Sequence, residues 1–582
     1  MKKTKRLAKT NAEAAARTAN ASPAHSNVNA AGRRLAKSWT WWPWAVALAA
    51  LFVALEIYGP ALRGPFVLDD RALPFMSPTI ELQPFAAWIA GVRPLLMLSF
   101  WVDYQRGGVD PFGYHLTNVF LHFFTSVIVA FIAARLLGWA KVEGRQRDVL
   151  AVFAGALFLV HPAQTESVAY VASRSEALSV FFFYAGLAVF LYRGEGPMKL
   201  TRALASAALF GAAVVTKEHT AIFPVVVVLA DYFWNRGGLR KNAIFYALVA
   251  LCGAVGAFMV VRVLRGAATA GFGMAGLTPL TYFFTQCRVV WSYVRLFFLP
   301  FGQNVDPEVA LSHNVFEHGA IAGLLAMAAV LGAAWVYRKR WPLASFGAIL
   351  FVVLVAPTSS FVPILDPLAE RRMYLPFLGL ILILLELLRH LKVQQAMWTG
   401  AAACLLLAVL TYQRNEVWGD PVALWADTAA KSPHKLRPRF QLAYAYYDTG
   451  HCPEAAANYE AASKLEPPHF DLLLDWALAL DCAGRDSEAV TVLKRAELLE
   501  NGAHVHAVLG MVYAKSGQRD EALKELNLAE QYDPRFDMTY VYRGGVEELN
   551  GDRAAAARDY QRAVSINSLN QPARDGLARV TR

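Results

Sequence analysis

Asp69 and Asp70 stand side by side in GPFVLDD, shortly after a long apolar segment. Two adjacent carboxylates repel, so one is kept protonated or basic enough to accept a proton, which is what a general base requires. A solvated Asp-Asp turn is the alternative for the dipeptide alone. Its company changes the reading. HLTNVFLH sets His115, Asn118 and His122 at spacings of three and four, on one face of a helix. HPAQTESVAYVASRSE (161–176) carries His161, Glu166, Arg174 and Glu176; TKEH (216–219) carries Lys217 and Glu218; LDPLAERRMYLP (365–376) carries Asp366, Glu370, Arg371, Arg372 and Tyr374. Charges at such depths cost about 3 kcal/mol each when unpaired. They must pair with one another or meet a polar substrate, and four such loops on one side imply a cavity. No metal centre is expected: His115 and His122 are seven apart, whereas two ligands on one helix are usually spaced four. The five cysteines show neither CxxC nor Cys/His spacing. No glycine-rich phosphate loop follows a strand pattern, so no nucleotide cofactor is expected either.

These loops are positioned by apolar segments. The chain has 582 residues, 56% hydrophobic and 17% charged, which describes an integral membrane protein. Residues 1–40, rich in Ala, Asn, Ser, Lys and Arg, read as a disordered cytoplasmic tail. An aromatic-anchored span follows from Trp41 to Tyr58, and the membrane domain runs over 41–412 with an outer loop at 60–112. Further apolar stretches lie near 116–137, 149–162, 175–192, 203–216, 219–234, 243–263, 317–337, 341–357, 375–389 and 395–412, giving about eleven spans. With the N-terminus inside, the basic loops around Arg145, Lys199, Arg240, Lys339 and Lys392 all fall in the cytoplasm. Counting 281–300 as a span would invert the later loops. Its Arg288 and Arg295 share one face, so it is expected as an interfacial or re-entrant helix on the outer side.

Residues 413–582 then emerge outside, and they repeat. Ala443, Ala477, Gly510 and Gly544 recur at spacings of 34, 33 and 34, each followed twelve residues later by Ala455, Ala489, Ala522 and Ala556, and seven later by Ala462, Ala496, Ala529 and Ala563. Small residues at this period are the close-packing positions of tetratricopeptide repeats. The expected architecture is therefore all-α: a polytopic membrane domain, a linking helix over 417–433, about four repeats over 436–570 and a short cap. Cys452 and Cys482 fall at the same edge of adjacent repeats, either as a disulfide or as two small buried thiols. About 20 basic and 25 acidic side chains lie in 413–582, so the net charge of +11 resides in the tail and the membrane loops. That placement follows from topology and excludes nucleic acid as the partner.

The Asp-Asp pair at 69–70, RPL at 93–95, HLTNVFLH, HPAQTESVAYVASRSEAL at 161–178, KE at 217–218 and ERRMYLP at 370–376, followed by repeats, resemble the transmembrane and tetratricopeptide repeat family of protein O-mannosyltransferases and their bacterial relatives, of the GT-C class. The resemblance covers roughly residues 60–570. It implies a polyprenyl-phosphate-linked sugar as donor, mannose favoured, and inverting transfer to a hydroxyl of an extracytoplasmic protein held by the repeat groove. Asp69 and Asp70 would be base and partner in either order. Arg93, His115, Asn118, His161, Glu166, Arg174, Glu176, Lys217, Glu218, Arg288, Arg295, Glu370, Arg371, Arg372 and Tyr374 would form the donor-phosphate and substrate site, the cations meeting charge on the leaving phosphate. The repeats are fewer than in many relatives, which leaves acceptor specificity open. Composition and the lack of a glycosylation sequon in the repeats point to a bacterial plasma membrane. The competing expectation is a non-catalytic membrane scaffold whose repeats bind partners.

Overall fold

The computed structural model describes residues 41–582 apart from 78, 81–82, 195, 235–237, 267–268 and 275. The basic segment 1–40 lies outside the described residues. Within them every regular element is helical, and the one strand-like contact is an isolated antiparallel bridge between Ala270 and Ile364. The membrane part comprises α1 (Trp42–Tyr58), α2 (Pro94–Gly107), α3 (Pro111–Trp139), α4 (Gly144–Val160), α5 (Arg174–Leu191), α6 (Leu200–Thr216), α7 (Phe223–Trp234), α8 (Ala243–Gly266), α9 (Pro279–Phe298), α10 (Ala320–Val336), α11 (Pro342–Val355), α12 (Phe377–Leu388) and α13 (Val393–Gly419). Proline in the first turn recurs, since its missing N–H is one the helix start could not use. At α3 the Asp110 carboxylate adds a cap, accepting from the Phe112 N–H at 3.0 Å.

By length and composition six helices could cross a membrane, or seven if α4 and Pro162–Ala169, bent by 55°, count as one span. Three more, α6, α11 and α12, are apolar but shorter. This stops short of the expected eleven, and the shortfall sits where polar loops interrupt apolar runs. The run from 149 bends at His161, and the run from 219 opens as a 3-10 turn over Glu218–Ile222, leaving α7 with 12 residues. The segment at 281–300 is an unbroken helix, α9, that is not among those candidates. Helix contacts use small residues to bring backbones together. A Cβ on Gly379 of α12 would lie 2.6 Å from the Gly347 carbonyl of α11, and one on Gly347 would lie 2.4 Å from the Gly379 carbonyl.

The boundary expected at 412 falls inside an element: α13 runs on to Gly419 and is followed by α14 (Pro421–Lys431), capped by Asp420, which accepts from Val422 N–H at 2.8 Å. Four helix pairs follow: Leu436–Asp448 with Cys452–Ala462, Phe470–Cys482 with Asp486–Leu499, Ala503–Lys515 with Arg519–Tyr532, and Asp537–Leu549 with Arg553–Ile566, closed by Gln571–Val580. The small residues read from the sequence are the contact points. Ala443, Ala455, Ala462, Ala477, Ala489 and Ala496 are fully buried in one core, and a Cβ on Gly510 would meet Leu526 Cγ at 2.5 Å. Cys452 and Cys482 are disulfide-bonded, with Cα atoms 5.6 Å apart, linking the first repeat to the second.

The repeats are not a loosely tethered domain. Leu424, Trp425 and Ala429 of α14 and Leu442 and Ala445 of the first repeat share a core with Val67, Ala169, Tyr170 and Val305. Those last four residues belong to the loops that carry the polar clusters of the membrane part, so the solenoid starts packed on them.

Candidate active site

The Asp-Asp pair lies on a 3-10 turn, Leu68–Ala72. Leu68 adopts φ 48°, a left-handed conformation that a γ-branched residue takes only when its surroundings enforce it. Asp70 supplies part of that enforcement. Fully buried, it accepts from Val67 N–H at 3.1 Å with one oxygen and from Ala172 N–H at 2.6 Å with the other. Burial pushes its carboxyl up to about 7 against the opposing pull of those two N–H groups, with the neighbouring Asp69 charge adding to the rise. Asp69 is the exposed member of the pair. Its backbone N–H donates to the Tyr170 hydroxyl at 2.9 Å, and no ion pair engages its carboxylate among the described residues. The two acids thus separate into a buried brace and a presented carboxylate.

Tyr170 links this turn to a series of cations. The Arg371 guanidinium lies 5.9 Å from the centre of its ring. Arg371 is clamped by Glu166, whose carboxylate accepts from both its guanidinium and its backbone N–H, the latter at 2.9 Å. Burial lowers the Arg371 pKa, but the charges of Glu166 and the Tyr170 hydroxyl outweigh it and hold the net shift upward; Glu176 contributes in the same sense. Glu176 in turn accepts from Lys217 Nζ at 2.5 Å and faces His219 Nε2 at 3.3 Å. Arg93 grips Glu218 with two bonds of 2.7 and 3.2 Å, in the forked geometry that suits a guanidinium to a carboxylate. Burial lowers Lys217, with Glu176 opposing; burial raises Glu218, but Arg93 outweighs it and the net shift is downward. RPL, the 161–176 loop, KEH and ERR therefore share one set of alternating charges, joined to the Asp69 turn at its Arg371 end through Tyr170.

Other residues expected at the site hold its frame. Arg174 is fully buried: it pairs with Asp103 at 2.6 Å and donates to Asn118 Oδ1 at 2.8 Å, to the Tyr114 carbonyl at 2.8 Å and to the Ser99 carbonyl at 3.2 Å. Its side chain is fully enclosed, and these partners engage its guanidinium. Asn118 passes the connection on to the Val168 carbonyl at 3.1 Å. His115 contacts the Gly64 carbonyl at 3.2 Å, and His161 the Phe297 carbonyl at 2.9 Å while its other nitrogen accepts from Ala163 N–H. His122 joins the Tyr374 hydroxyl at 2.9 Å and the Leu159 carbonyl at 3.0 Å. Glu370, buried and raised by burial to about 7, accepts from Asn304 N–H at 2.7 Å. Arg372 donates to the carbonyls of Asp366 and Pro367, at 2.7 and 3.0 Å. Arg288 bonds the Ala310 carbonyl and Ser312, and Arg295 the Phe301 carbonyl, so both pin the loop after α9. These three arginines brace their own loops.

Sequence reasoning missed His219, Tyr170, Asp103 and Arg71. Asp103 had a signal: a lone acid in a mostly apolar helix needs a cation if it is buried, and Arg174 is one. His219 and Tyr170 stand inside strings already singled out, but nothing in their spacing tells a lining side chain from a packed one.

A family model described as tetratricopeptide repeat matches residues 503–536, the third of the four helix pairs. The curated relatives are TMTC-type protein O-mannosyl-transferases. The chain is 24% identical over 449 residues to protein O-mannosyl-transferase F38B6.6 of Caenorhabditis elegans, covering 72% of this chain and 63% of that one. It is 22% identical over 556 residues to mouse TMTC3 (82% and 57%), and 36% identical over 181 residues to Drosophila melanogaster Tmtc1 (27% and 20%). The chain thus spans less than two thirds of the length of these relatives. Among solved structures, MamA is similar at 20% identity and a TM-score of 0.23 over 25% of this chain and 86% of that one.

Proposed function

We propose that this protein is a multi-pass membrane O-mannosyltransferase of GT-C type: it moves a sugar, mannose in first place, from a polyprenyl phosphate to a hydroxyl of a protein acceptor outside the cytoplasm, with inversion. The observation that carries this reading is the exposed Asp69, whose backbone N–H is held by the Tyr170 hydroxyl, with the Arg371 guanidinium 5.9 Å from the centre of the same Tyr170 ring. Asp69 takes the proton of the acceptor hydroxyl as its oxygen bonds to the anomeric carbon, and the bond from that carbon to the phosphate oxygen breaks on the opposite face. The electron pair stays on the leaving phosphate, where fixed cations lower the barrier without reorganising. Arg371 and Arg93 are pre-oriented by Glu166 and Glu218 and need not be ordered by the substrate.

The eleven-span topology, with residues 1–40 inside and the repeats outside a bacterial plasma membrane, belongs to the same reading. Support comes from the basic loops and from the Cys452–Cys482 disulfide, a bond of oxidising compartments. An acceptor segment would lie along the repeats, where Met511, Lys515, Tyr542 and Leu549 line a groove.

Turnover of polyprenyl-phosphate-mannose by membranes carrying the protein, with a Ser/Thr peptide as acceptor, tests the proposal. Asp69→Asn is expected to lower turnover by about 10²–10⁴-fold with the protein still inserted. Full activity of that variant removes the base assignment, and a wild type inert toward polyprenyl-phosphate sugars would leave the scaffold reading.

A further inference from the structure

The turn bearing Asp69 is strained, and its supports come from three directions. Two belong to the membrane part: the Tyr170 hydroxyl on the Asp69 N–H, and the Asp70 carboxylate bridging Val67 and Ala172. The third is the first repeat. The Arg71 guanidinium, two residues from Asp69, sits 4.1 Å over the ring of Tyr444, and Val67 and Leu68 pack with Leu424, Trp425, Leu442, Ala445 and Tyr446. A left-handed non-glycine residue relaxes unless its neighbours over-determine it, and here part of that determination is supplied by helix Leu436–Asp448.

The same helix also holds the cation side. At its start, Lys435 and Arg437 pair with Asp306, and Arg437 also pairs with Asp366 at 2.6 Å. Asp366 opens the loop that carries Arg371, and Arg372 closes that loop by donating to the Asp366 carbonyl. Burial raises the Asp366 carboxyl, but Arg437 and Lys435 outweigh it and keep it in its charged form. One helix of the solenoid is thus fastened to the loop with the acid and to the loop with the cation, at points 7 residues apart on its own sequence. Two turns of helix form a rigid spacer between them.

We propose that the first tetratricopeptide unit is a positioning element of the catalytic centre, Tyr444 through Arg71 and Arg437 through Asp366 fixing the Asp69 turn relative to the Arg371 turn. This rests on the proposed transferase reading and goes beyond it, because a repeat domain that only holds acceptor would change acceptor KM and leave the chemical step alone. A positioning element acts on kcat even with an acceptor too short to touch the solenoid.

The test uses the full chain in detergent, with hydrogen exchange of residues 66–73 and turnover of polyprenyl-phosphate-mannose onto a Ser-containing tripeptide as separate readouts. Tyr444→Ala and, leaving the repeat untouched, Arg71→Gln are expected to speed exchange in 66–73 by about tenfold and to lower kcat by about ten- to a hundredfold, with donor KM held within about twofold. Tyr444→Phe keeps the ring face and is expected to restore both. Arg495→Ala removes an arginine 5.7 Å from the Trp476 ring elsewhere in the repeats and is expected to move neither. Wild-type exchange in both Tyr444→Ala and Arg71→Gln overturns the inference, as does faster exchange with kcat unchanged. Faster exchange in an enzyme whose wild type turns over no donor would instead retain the mechanical coupling and remove the transferase reading.

Discussion

Asp69 and Asp70 are the same residue one position apart, and the protein gives them opposite tasks by enclosing one and presenting the other. Asp70 accepts one N–H on each oxygen, so Asp70→Asn places an amide donor against a backbone donor and is expected to loosen the loop at a cost of about 1–3 kcal/mol. Glu370 lends itself to a cleaner titration. Its folded pKa is raised to about 7 by burial, so between the ordinary carboxylate range and about pH 7 the folded protein holds a proton that the unfolded chain has lost. The stability it contributes is present below about pH 4.5 and is lost as pH rises through about 7. Glu370→Gln keeps the shape and can still accept from Asn304. Relative to this variant, the wild type is expected to lose on the order of 3 kcal/mol between about pH 5 and pH 8, read as a pH-dependent gap between their thermal midpoints. A gap that stays constant with pH would show Glu370 ionised throughout. The sequence disclosed which strings were chemically loaded, but not who pairs with whom. Arg93 with Glu218 and Glu166 with Arg371 are separated by 125 and 205 residues. A guanidinium also looks the same in one dimension whether it is knotted in the core, as Arg174 is, or partly exposed, as Arg371 is.

At the level of elements, legibility followed the strength of the local pattern. The repeats were readable because each close helix contact demands a small side chain and the demand recurs every 33 or 34 residues. The left-handed glycines that turn each pair, Gly450, Gly484, Gly517 and Gly551, keep the same register. Spans were less readable, since an apolar run does not reveal where a buried polar loop will interrupt the helix, as at His161 and Glu218. The two cysteines lay between these cases: register put them at one edge, and only the structure chose the disulfide. A cross-link across 30 residues restricts the unfolded chain by about 3–4 kcal/mol in the loop-entropy account. Reduction, or Cys482→Ser, is expected to lower the unfolding midpoint of the repeats in the full chain, and non-reducing peptide mapping is expected to find 452 and 482 joined. Free thiols at both positions in protein from its native compartment would leave them a packing role.

For the whole molecule, the decisive question is which side of the membrane the charged loops face, and sequence and structure constrain it differently. The proposed topology, with residues 1–40 inside, rests on the basic residues of the short loops. The structure adds that the Asp69 turn, the Arg371 loop and the first repeat share cores and ion pairs, so they lie on the same side as one another. Disulfides persist in oxidising compartments, so the Cys452–Cys482 bond supports the proposed placement of that side outside the cytoplasm. If the six or seven long helices were the only crossings, the parity of the topology would hinge on whether the bent pair spans. With α6, α7, α11 and α12 crossing as well, the count returns to eleven and the repeats fall outside. Single-cysteine reporters in a background lacking the native cysteines decide between these. In intact cells, a membrane-impermeant maleimide is expected to label Ser487→Cys, which is exposed at the start of the second helix of its repeat, and not Ser22→Cys in the tail, whereas permeabilised cells label both. Label at Ser22→Cys but not at Ser487→Cys would place the acid, the cations and the repeats in the cytoplasm together. Because the three are packed as one body, no partial rescue of the topology is available: the inverted result would remove the lipid-linked donor of the outer leaflet from reach of Asp69 and, with it, the proposed reaction.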